Sequence, residues 1–329
     1  MTYNHNNLSP TGDALLRQLR AMAGPYDGHT HSNVSDGHET LLGLCRMAAA
    51  KGIAHLGITD HDHKLHARKA RILSLRCGID VIPGVELNAV HTVGGRTVLA
   101  HLGLLWVPDD DGELNALLAR NQNLPLEVYC KAMLRKLYDL GLDPSGEGVD
   151  RSWEMILERN PFCKYPAKGV VADLLVDTGL VFSRAEVSNR YLGEHGERLA
   201  WVDKTELYDY ITVEEVLTCV SRLNRERGTA VVVTLNHPFH YRLEEADLRT
   251  LVADFSRLGR HAVEVYYPKH DRAREDFLLD LCSQHDLLPN VGSDYHYDAH
   301  ALTPGPWEIF EALLRVHKKE VQPDGKEWW

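Results

Sequence analysis

Short apolar runs alternate with amphipathic segments in two stretches of the chain. In the first, apolar residues recur at helical spacing over 41–51, and Gly52 ends the pattern. The apolar run 55–59 then predicts a short buried strand. The same rhythm returns over 229–296, where β-rich runs are separated by helical patterns. This alternation predicts a parallel α/β sheet or barrel whose functional site lies at the carboxyl ends of the strands.

The stretch between these two halves has a different pattern. Its apolar spacing is helical, and no strong strand pattern occurs there. We therefore predict a parallel α/β sheet or barrel built from residues 26–108 and 229–300, interrupted by a helical insertion over 109–228. Residues 1–25 are expected to form an N-terminal extension with a short helix, and residues 301–329 a C-terminal helix and tail.

The charge balance limits the classes of partner. Asp and Glu total 47 against 36 Lys and Arg, a formal net charge of −11 over 329 residues. This balance argues against a broad basic face for duplex nucleic acid or an anionic membrane. Six cysteines without a Cys-x-x-Cys pair are typical of reduced thiols in a cytoplasmic protein. No apolar run reaches transmembrane length, and the polar N-terminus differs from a signal peptide. We expect a cytoplasmic protein without a membrane partner, and the oligomeric state stays open.

One short motif carries metal-ligand chemistry. His29 and His31 are two residues apart, and residues at this spacing on a strand point to the same face. Asp36 follows in a Ser-Asp-Gly turn, from which its carboxylate can fold back toward the imidazoles. Two imidazoles and a carboxylate converging on one point suit a metal ion. For this motif alone, a pair of strand histidines beside a turn aspartate is an equally good interpretation.

Further candidate ligands at predicted strand ends favour the metal interpretation. The full set is His29, His31, Asp36, His61, Glu86, His101, His237, Asp294 and His296. Nine ligands exceed what one transition-metal ion takes, so we expect two or three ions that share carboxylates. Asp60 and Asp62, which flank His61, are expected to orient an imidazole rather than to bind an ion.

The motifs that hold these residues occur in a specific order. They are His-Thr-His-Ser with Ser-Asp-Gly, Ile-Thr-Asp-His-Asp, Pro-Gly-Val-Glu, His-Leu-Gly, Asn-His-Pro, Val-Glu-Val-Tyr-Tyr and Gly-Ser-Asp-Tyr-His. In this order they resemble the PHP (polymerase and histidinol phosphatase) superfamily, from about residue 26 to residue 297. The chain looks most like stand-alone PHP phosphoesterases that act on nucleotides or RNA ends.

The resemblance implies a distorted (βα)7 barrel with a trinuclear centre of Mn, Fe or Zn. It assigns the ligands to three groups: His29, His31, Glu86 and Asp294; Asp36, His61 and His296; and Glu86, His101 and His237, with Glu86 bridging. The implied activity is hydrolysis of a phosphate ester of a nucleotide or small phosphorylated metabolite by a metal-activated water.

Each candidate residue then has an expected role. The catalytic set is Asp36, His61, Glu86 and His237, in which the two histidines are candidate donors of the leaving-group proton. The expected substrate contacts are Lys131, Lys168, Glu264 and His270.

One departure from the family pattern affects the substrate. Phosphatases of this subfamily commonly carry Gly-Arg-Pro-His before a helix, whereas the aligned positions here hold Lys168 for Arg and Val170 for His. Lysine binds phosphate as a point charge rather than as a bidentate fork. Two alternatives therefore stay open: a PHP-site hydrolase of a non-phosphate bond, and a non-catalytic, metal-stabilised PHP module.

Overall fold

A computed structural model describes residues 10–159, 168–193, 196–227, 230–257, 259, 261–297 and 301–320. Its strands are β1 (Tyr26–Asp27), β2 (His55–Ile58), β3 (Asp80–Val93), β4 (Arg96–Leu105), β5 (Val232–Leu235), β6 (Ala262–Tyr266) and β7 (Leu288–Val291). Its helices are α1 (Pro10–Ala21), α2 (Leu41–Ala50), α3 (Ala67–Cys77), α4 (Gly112–Gln122), α5 (Leu126–Asp139), α6 (Val149–Arg159), α7 (Lys168–Asp177), α8 (Arg184–Glu186), α9 (Val213–Arg227), α10 (Glu245–Ser256), α11 (Arg272–Gln284) and α12 (Trp307–Glu320).

The seven strands form one sheet in the order β1 to β7. Neighbouring strands are parallel, except that β4 runs antiparallel to both β3 and β5. Beyond β1 and β7, the Gly28 amide donates to Val291 O at 3.1 Å and the His31 amide donates to Tyr295 O at 2.9 Å. These hydrogen bonds join the two edges, so the sheet is a nearly closed barrel. The predicted barrel fold is confirmed.

A tight hairpin between β3 and β4 makes the barrel depart from a regular βα alternation. Gly94 and Gly95 connect β3 to β4, and both have positive φ, 58° and 77°. A two-residue hairpin turn with positive φ at both positions favours glycine. Because two residues cannot hold a crossover helix, β3 and β4 pair antiparallel, and the βα alternation is interrupted there.

The chain divides into two compact units. One comprises the residues up to Gln122 and those from Tyr210 onward, and the other is Asn123–Asp209. The second unit is shorter than the insertion predicted over 109–228. The reason is that α4 and α9 bury apolar faces in the same cluster as the barrel strands, including Leu114 and Val216.

Each unit has its own apolar core. In the barrel unit, residues such as Leu102 and Val263 pack beneath the helices that surround the strands. In the helical unit, Tyr129, Trp153 and Leu175 belong to one buried cluster. Across the described ranges, no helix is both long and apolar enough to cross a membrane. The C-terminal tail with Trp328 and Trp329 lies outside the described residues.

Candidate metal centre

The His-x-His motif follows a strand that is shorter than its pattern predicts. Strand β1 ends at Asp27, but Thr30 forms an isolated parallel bridge with Tyr295 that keeps the chain extended. His29 and His31 therefore point to the same side, as residues two apart in extended chain do. Their Nε2 atoms lie 3.0 Å apart. Two nitrogen lone pairs are thus directed at one point, as the spacing predicts.

Glu86 lies at the centre of the cluster. It belongs to β3 and is completely buried. Its two oxygens lie 3.0–3.4 Å from imidazole nitrogens of five residues, His29, His31, His61, His101 and His237. Oε1 faces three of these rings and Oε2 faces two, so one carboxylate can bridge two ligand groups.

The remaining ligands lie beside this carboxylate. Asp36 Oδ1 is 3.2 Å from His296 Nε2, and Asp294 Oδ1 is 3.3 Å from His31 Nε2. Donor atoms within 4.8 Å of one another form four groups: His31, Asp36, His61 and His296; His29, His31 and Asp294; His29, Glu86 and His237; and His61, Glu86 and His101. The structure thus brings together all nine residues that the sequence singles out. It places His101 and His237 in separate groups around Glu86.

Two ligands have a strained backbone. His237 follows β5 with φ of 28°, and Asp294 follows β7 with φ of 51°. Positive φ in a residue other than glycine costs about 1–3 kcal/mol and persists only where the surroundings enforce it. Here the His237 amide donates to Glu264 Oε2 at 2.8 Å, and the Asp294 amide donates to His29 O at 2.9 Å. Both hydrogen bonds stabilise conformations that direct the side chains into the cluster.

Burial and mutual charge set the ionisation of the cluster. Burial disfavours the carboxylates, but the surrounding imidazoles outweigh it and hold the pKa values of Glu86 and Asp294 well below their usual range. Burial lowers the pKa of His61 to about 4. For His296, Asp36 and Asp294 outweigh burial and raise the pKa to about 10. The ion-free cluster therefore contains anionic carboxylates together with both neutral and protonated imidazoles.

The donor set fits divalent transition-metal ions. Glu86 Oε2, His101 Nδ1 and His237 Nδ1 are buried, and in the described part of the chain they have no hydrogen-bond partner. A buried polar atom without a partner is costly unless another ligand satisfies it. Mixed imidazole and carboxylate ligands suit Mn, Fe or Zn.

Comparison with known proteins agrees with this chemistry. Residues 27–152 match the PHP domain. This match covers the N-terminal part of the chain, which is therefore similar to the PHP family. A 5'-3' exoribonuclease of Haemophilus influenzae is 26% identical over 305 residues, covering 91% of this chain and 100% of that protein. A 3',5'-nucleoside bisphosphate phosphatase of Chromobacterium violaceum is 27% identical over 276 residues, covering 82% of this chain and 86% of that protein.

A solved structure shares the barrel fold. A protein from Chromobacterium violaceum, described as an amidohydrolase with bound sulfate, superposes with a TM-score of 0.67 at 23% identity. The superposition covers 88% of this chain and 96% of that one. At this level of identity the likeness supports the barrel fold alone.

Behind the candidate ligands, Glu264 has a different position from the one expected. The sequence analysis assigns it to substrate, but it is completely buried and both of its oxygens contact protein. Oε1 lies 2.9 Å from His29 Nδ1, and Oε2 accepts from the His237 amide. A Cβ at Gly292 would come within 2.1 Å of Glu264 Oε1, so only glycine permits this approach. Glu264 therefore orients His29 with its Nε2 toward the cluster.

Asp60 and Asp62, which were expected to orient an imidazole, form hydrogen bonds with other groups. Asp60 accepts hydrogen bonds from the Ser32 amide, the Ser32 hydroxyl and the Ser35 hydroxyl at 2.7–2.8 Å. It thereby fixes the loop that presents Asp36. Asp62 accepts from the side-chain amides of Asn88 and Asn121, each at 2.8 Å. Both aspartates shape loops at the strand ends rather than rotating a histidine ring.

Sequence reasoning missed Asn236 as a functional residue. Its side-chain amide donates to Glu86 Oε1 at 2.8 Å, and the residue is buried. Its position directly before His237, at the carboxyl end of β5, was the signal available in the Asn-His-Pro motif. Buried amides that donate to a ligating carboxylate fix its orientation.

The remaining predicted substrate contacts lie in both units. His270 follows β6, and its Nδ1 donates to Val265 O at 2.8 Å while Nε2 is buried. Lys131 belongs to α5 in the helical unit, where its ammonium pairs with Glu127 and Asp150 at 2.7 Å each. Lys168 is the half-buried first residue of α7 in the same unit. A substrate role for these three residues stays a prediction.

Proposed function

We propose that this protein is a metal-dependent phosphoesterase that hydrolyses a phosphate ester of a nucleotide or small phosphorylated metabolite. The observation that carries the proposal is the convergence of six imidazoles and three carboxylates, with Glu86 at their centre. Relatives named as an exoribonuclease and a nucleoside bisphosphate phosphatase support this reaction class and a nucleotide substrate. Both names describe cleavage of a phosphate ester.

Our proposal assigns two to three divalent ions, of Mn, Fe or Zn, to the nine ligands. Such ions supply Lewis acidity toward phosphate oxygens and lower the pKa of water. The completely buried Glu86 would bridge ions, whereas Asp36 and His101 reach the outer side of the cluster. Their side chains are 29% and 25% exposed. A substrate would therefore approach beside Asp36 and His101.

We retain His61 and His237 as candidate donors of the leaving-group proton. The side chain of His61 is 15% exposed and that of His237 is 5% exposed, so His61 is the better placed to meet substrate. The acidic composition supports small substrates rather than duplex nucleic acid or membrane. A cytoplasmic location is supported by the free thiols of all five described cysteines, Cys45, Cys77, Cys130, Cys219 and Cys282.

Elemental analysis tests the metal content directly. We expect two to three transition-metal ions per chain after purification or reconstitution. At most one ion per chain after reconstitution with each of Mn, Fe and Zn would contradict the multinuclear centre. A Glu86→Gln variant measured in parallel should hold fewer ions, because Glu86 is the only one of the nine ligands whose two oxygens both contact several imidazoles.

A phosphate-release screen tests the reaction. The Mn, Fe and Zn forms are assayed with phosphorylated metabolites, nucleoside mono- and bisphosphates and 5'-phosphorylated oligonucleotides. Turnover that requires the ions and disappears in Glu86→Gln supports the proposal. Full metal content without phosphate release, but with hydrolysis of an amide or carboxylic ester, favours the non-phosphate hydrolase. Full metal content without any turnover favours a non-catalytic module.

A further inference from the structure

One donor group of the candidate centre spans three neighbouring elements of the barrel edge. It consists of His61, Glu86 and His101. His61 Nδ1 lies 3.0 Å from Glu86 Oε2, and His101 Nδ1 lies 3.3 Å from Glu86 Oε1. Glu86 belongs to β3 and His101 to β4, whereas His61 lies beyond the end of β2. The spacing of the group therefore depends on how the segment after β2 is held against β3.

Backbone hydrogen bonds continue the pairing of β2 with β3 into this segment. His61 and Glu86 form an isolated parallel bridge. The Asp62 amide donates to Glu86 O at 2.7 Å, and the Glu86 amide donates to Asp60 O at 3.3 Å. Asp62, directly after the ligand, has a φ of 50°. Positive φ in a residue other than glycine persists only where the surroundings enforce it, so the contacts of Asp62 bear on the position of His61.

The Asp62 carboxylate is buried among amides. Its Oδ1 accepts from the Asn88 amide at 3.2 Å and from Asn121 Nδ2 at 2.8 Å, and its Oδ2 accepts from Asn88 Nδ2 at 2.8 Å. Asn121 Nδ2 also donates to Asn88 O at 2.7 Å. Asn88 is the cross-strand partner of His101 in the pairing of β3 with β4. One side-chain amide of α4 is thus bonded both to the residue after His61 and to the residue opposite His101.

The end of α4 holds Asp62 at two points. Asn121 is 6% exposed, and its Oδ1 is buried without a hydrogen-bond partner among the described residues. An unpaired buried acceptor lowers stability, so this asparagine is not explained by packing alone. The next residue, Gln122, is exposed, and its Nε2 donates to Asp62 O at 2.7 Å. Two consecutive residues therefore fix the carboxylate and the carbonyl of Asp62.

The other aspartate beside His61 serves a different donor group. The Asp60 carboxylate accepts from the hydroxyls of Ser32 and Ser35, in the loop that leads to Asp36. Asp36 belongs to the group that also contains His31, His61 and His296. Asp60 thus supports the group of Asp36, and Asp62 supports the group of His101. The two groups have separate hydrogen-bond supports.

We propose that Asn121 is a positioning residue that sets His61 against Glu86 and His101 and thereby determines the affinity of one metal ion. This inference rests on the metal centre of the proposed function and deepens it, because it assigns one ion its own support. A ligand that is held in place before an ion binds loses less freedom on binding. Loosening Asp62 should therefore weaken that ion and leave ions at the other donor groups in place.

The test measures stepwise affinities of the ion-free protein for Mn²⁺ and, in parallel, for Zn²⁺ by calorimetric titration with chelator competition. We expect Asn121→Ala to weaken one ion by about 10- to 100-fold. The other affinities should stay within about twofold. Gln122→Ala should weaken the same ion by about 2- to 10-fold, because it removes one neutral hydrogen bond. Since Gln122 is exposed, this second variant keeps the test valid if Asn121→Ala folds poorly.

A double variant locates the effect. His101→Ala removes one ligand of the same donor group and should lose the same ion. Adding Asn121→Ala to it should then cause no further loss, because both changes act on one group. Additive losses in the double variant would overturn the assignment of Asn121 to this group.

Asn224 in α9 provides the matched control. Its side-chain amide makes two hydrogen bonds with the backbone of Val231, at 2.9 Å and 3.0 Å, just before the amino end of β5. Asn224→Ala should lower the thermal midpoint and leave every metal affinity unchanged. Equal weakening of all ions in Asn121→Ala, no weakening, or the same loss in Asn224→Ala would overturn the positioning role.

The titration uses no substrate, so its outcome is separable from that of the proposed reaction. Selective loss of one ion in a protein that cleaves no phosphate ester would support the role of Asn121 and overturn the phosphoesterase. Turnover on a phosphate ester with unselective losses in Asn121→Ala would support the phosphoesterase and overturn the role of Asn121. A wild-type protein that binds at most one ion would overturn the multinuclear centre and this inference with it.

Discussion

Ionisable side chains are buried at the carboxyl edge of the barrel, whereas those of the helical unit lie mainly at its surface. At the barrel edge, Glu86 and His31 are completely buried, and their neighbours are other ionisable groups. In Asn123–Asp209, the buried cluster is apolar, and charged side chains form solvent-exposed pairs such as Arg151 with Glu158. Burial of an uncompensated charge costs several kcal/mol, whereas exposed pairs contribute little to stability. The buried ionisable groups of the barrel edge therefore lower the stability of the fold, and they form the candidate metal centre.

The two regions also differ in how firmly each polar atom is positioned. Glu264, Asn236 and Asp60 hold ligands or ligand loops by hydrogen bonds of 2.7–2.9 Å. The ion pairs of the helical unit join long side chains at its surface. Substitutions at the barrel edge should thus change function strongly, and substitutions in the exposed ion pairs of the helical unit, such as Arg151 with Glu158, should not.

The largest effect is expected from Glu86→Gln at the barrel edge, and the same change at Glu158 in the helical unit is its control. Glu86→Gln should reduce turnover by roughly 100- to 1,000-fold, because a metal-binding anion supplies several kcal/mol of charge stabilisation. Glu158→Gln, on the helical surface, should leave turnover and the thermal midpoint unchanged. Steady-state kinetics with metal analysis and circular dichroism make the comparison. Near wild-type turnover in folded Glu86→Gln would remove Glu86 from the centre.

A smaller effect is expected at Asn236, which supports a candidate ligand, and it should appear in the metal affinity. Asn236→Ala removes the amide that donates to Glu86 Oε1 and should weaken metal affinity by about 10- to 100-fold. Competition titration against a chelator measures this affinity, and turnover at saturating metal shows whether the loss is confined to binding. An unchanged affinity would mean that the carboxylate is oriented by the imidazoles alone.

Lys168 tests whether the helical unit takes part in the chemistry. The family pattern has arginine at this position, so an ammonium that contacts the substrate phosphate contributes roughly 10- to 100-fold in kcat/KM. Lys168→Ala should lower kcat/KM on the best phosphorylated substrate without changing metal content, and Lys168→Arg should be tolerated. Lys131→Ala serves as the comparison, since that ammonium already pairs with two carboxylates. Unaltered kinetics in Lys168→Ala would strengthen the non-phosphate hydrolase.

The mildest test concerns pH. Carboxylates outweigh burial and raise the pKa values of His29 and His296, the latter to about 10. These imidazoles carry protons in the ion-free protein near neutral pH, and an ion must displace them. Metal affinity should therefore rise with pH, by about tenfold per pH unit for each proton released. Calorimetry in two buffers with different ionisation enthalpies counts the protons, and a pH-independent affinity would contradict these protonation states.

Local pattern was enough to predict a large part of this protein. Alternating helical and strand periods predicted a parallel α/β sheet or barrel, and the structure has a nearly closed seven-stranded barrel. The nine candidate ligand residues could be predicted because parallel strands place their carboxyl ends at one edge of the sheet. The His-x-His, Asp and Glu motifs follow these strand ends in the sequence. These features depend on residues close in sequence, which a single chain displays directly.

Other features depend on residues that only the fold brings together. Glu264 appeared to be a substrate contact, but β6 and β7 place it behind His29, 235 positions away in the chain. Asn236 became a partner of Glu86 because β4 and β5 pair antiparallel. The sequence alone determined which chemistry the chain carries and at which strand ends. Tertiary structure decided which side chains gather around Glu86, which residues support them and which stay exposed, because burial and distance arise only from packing.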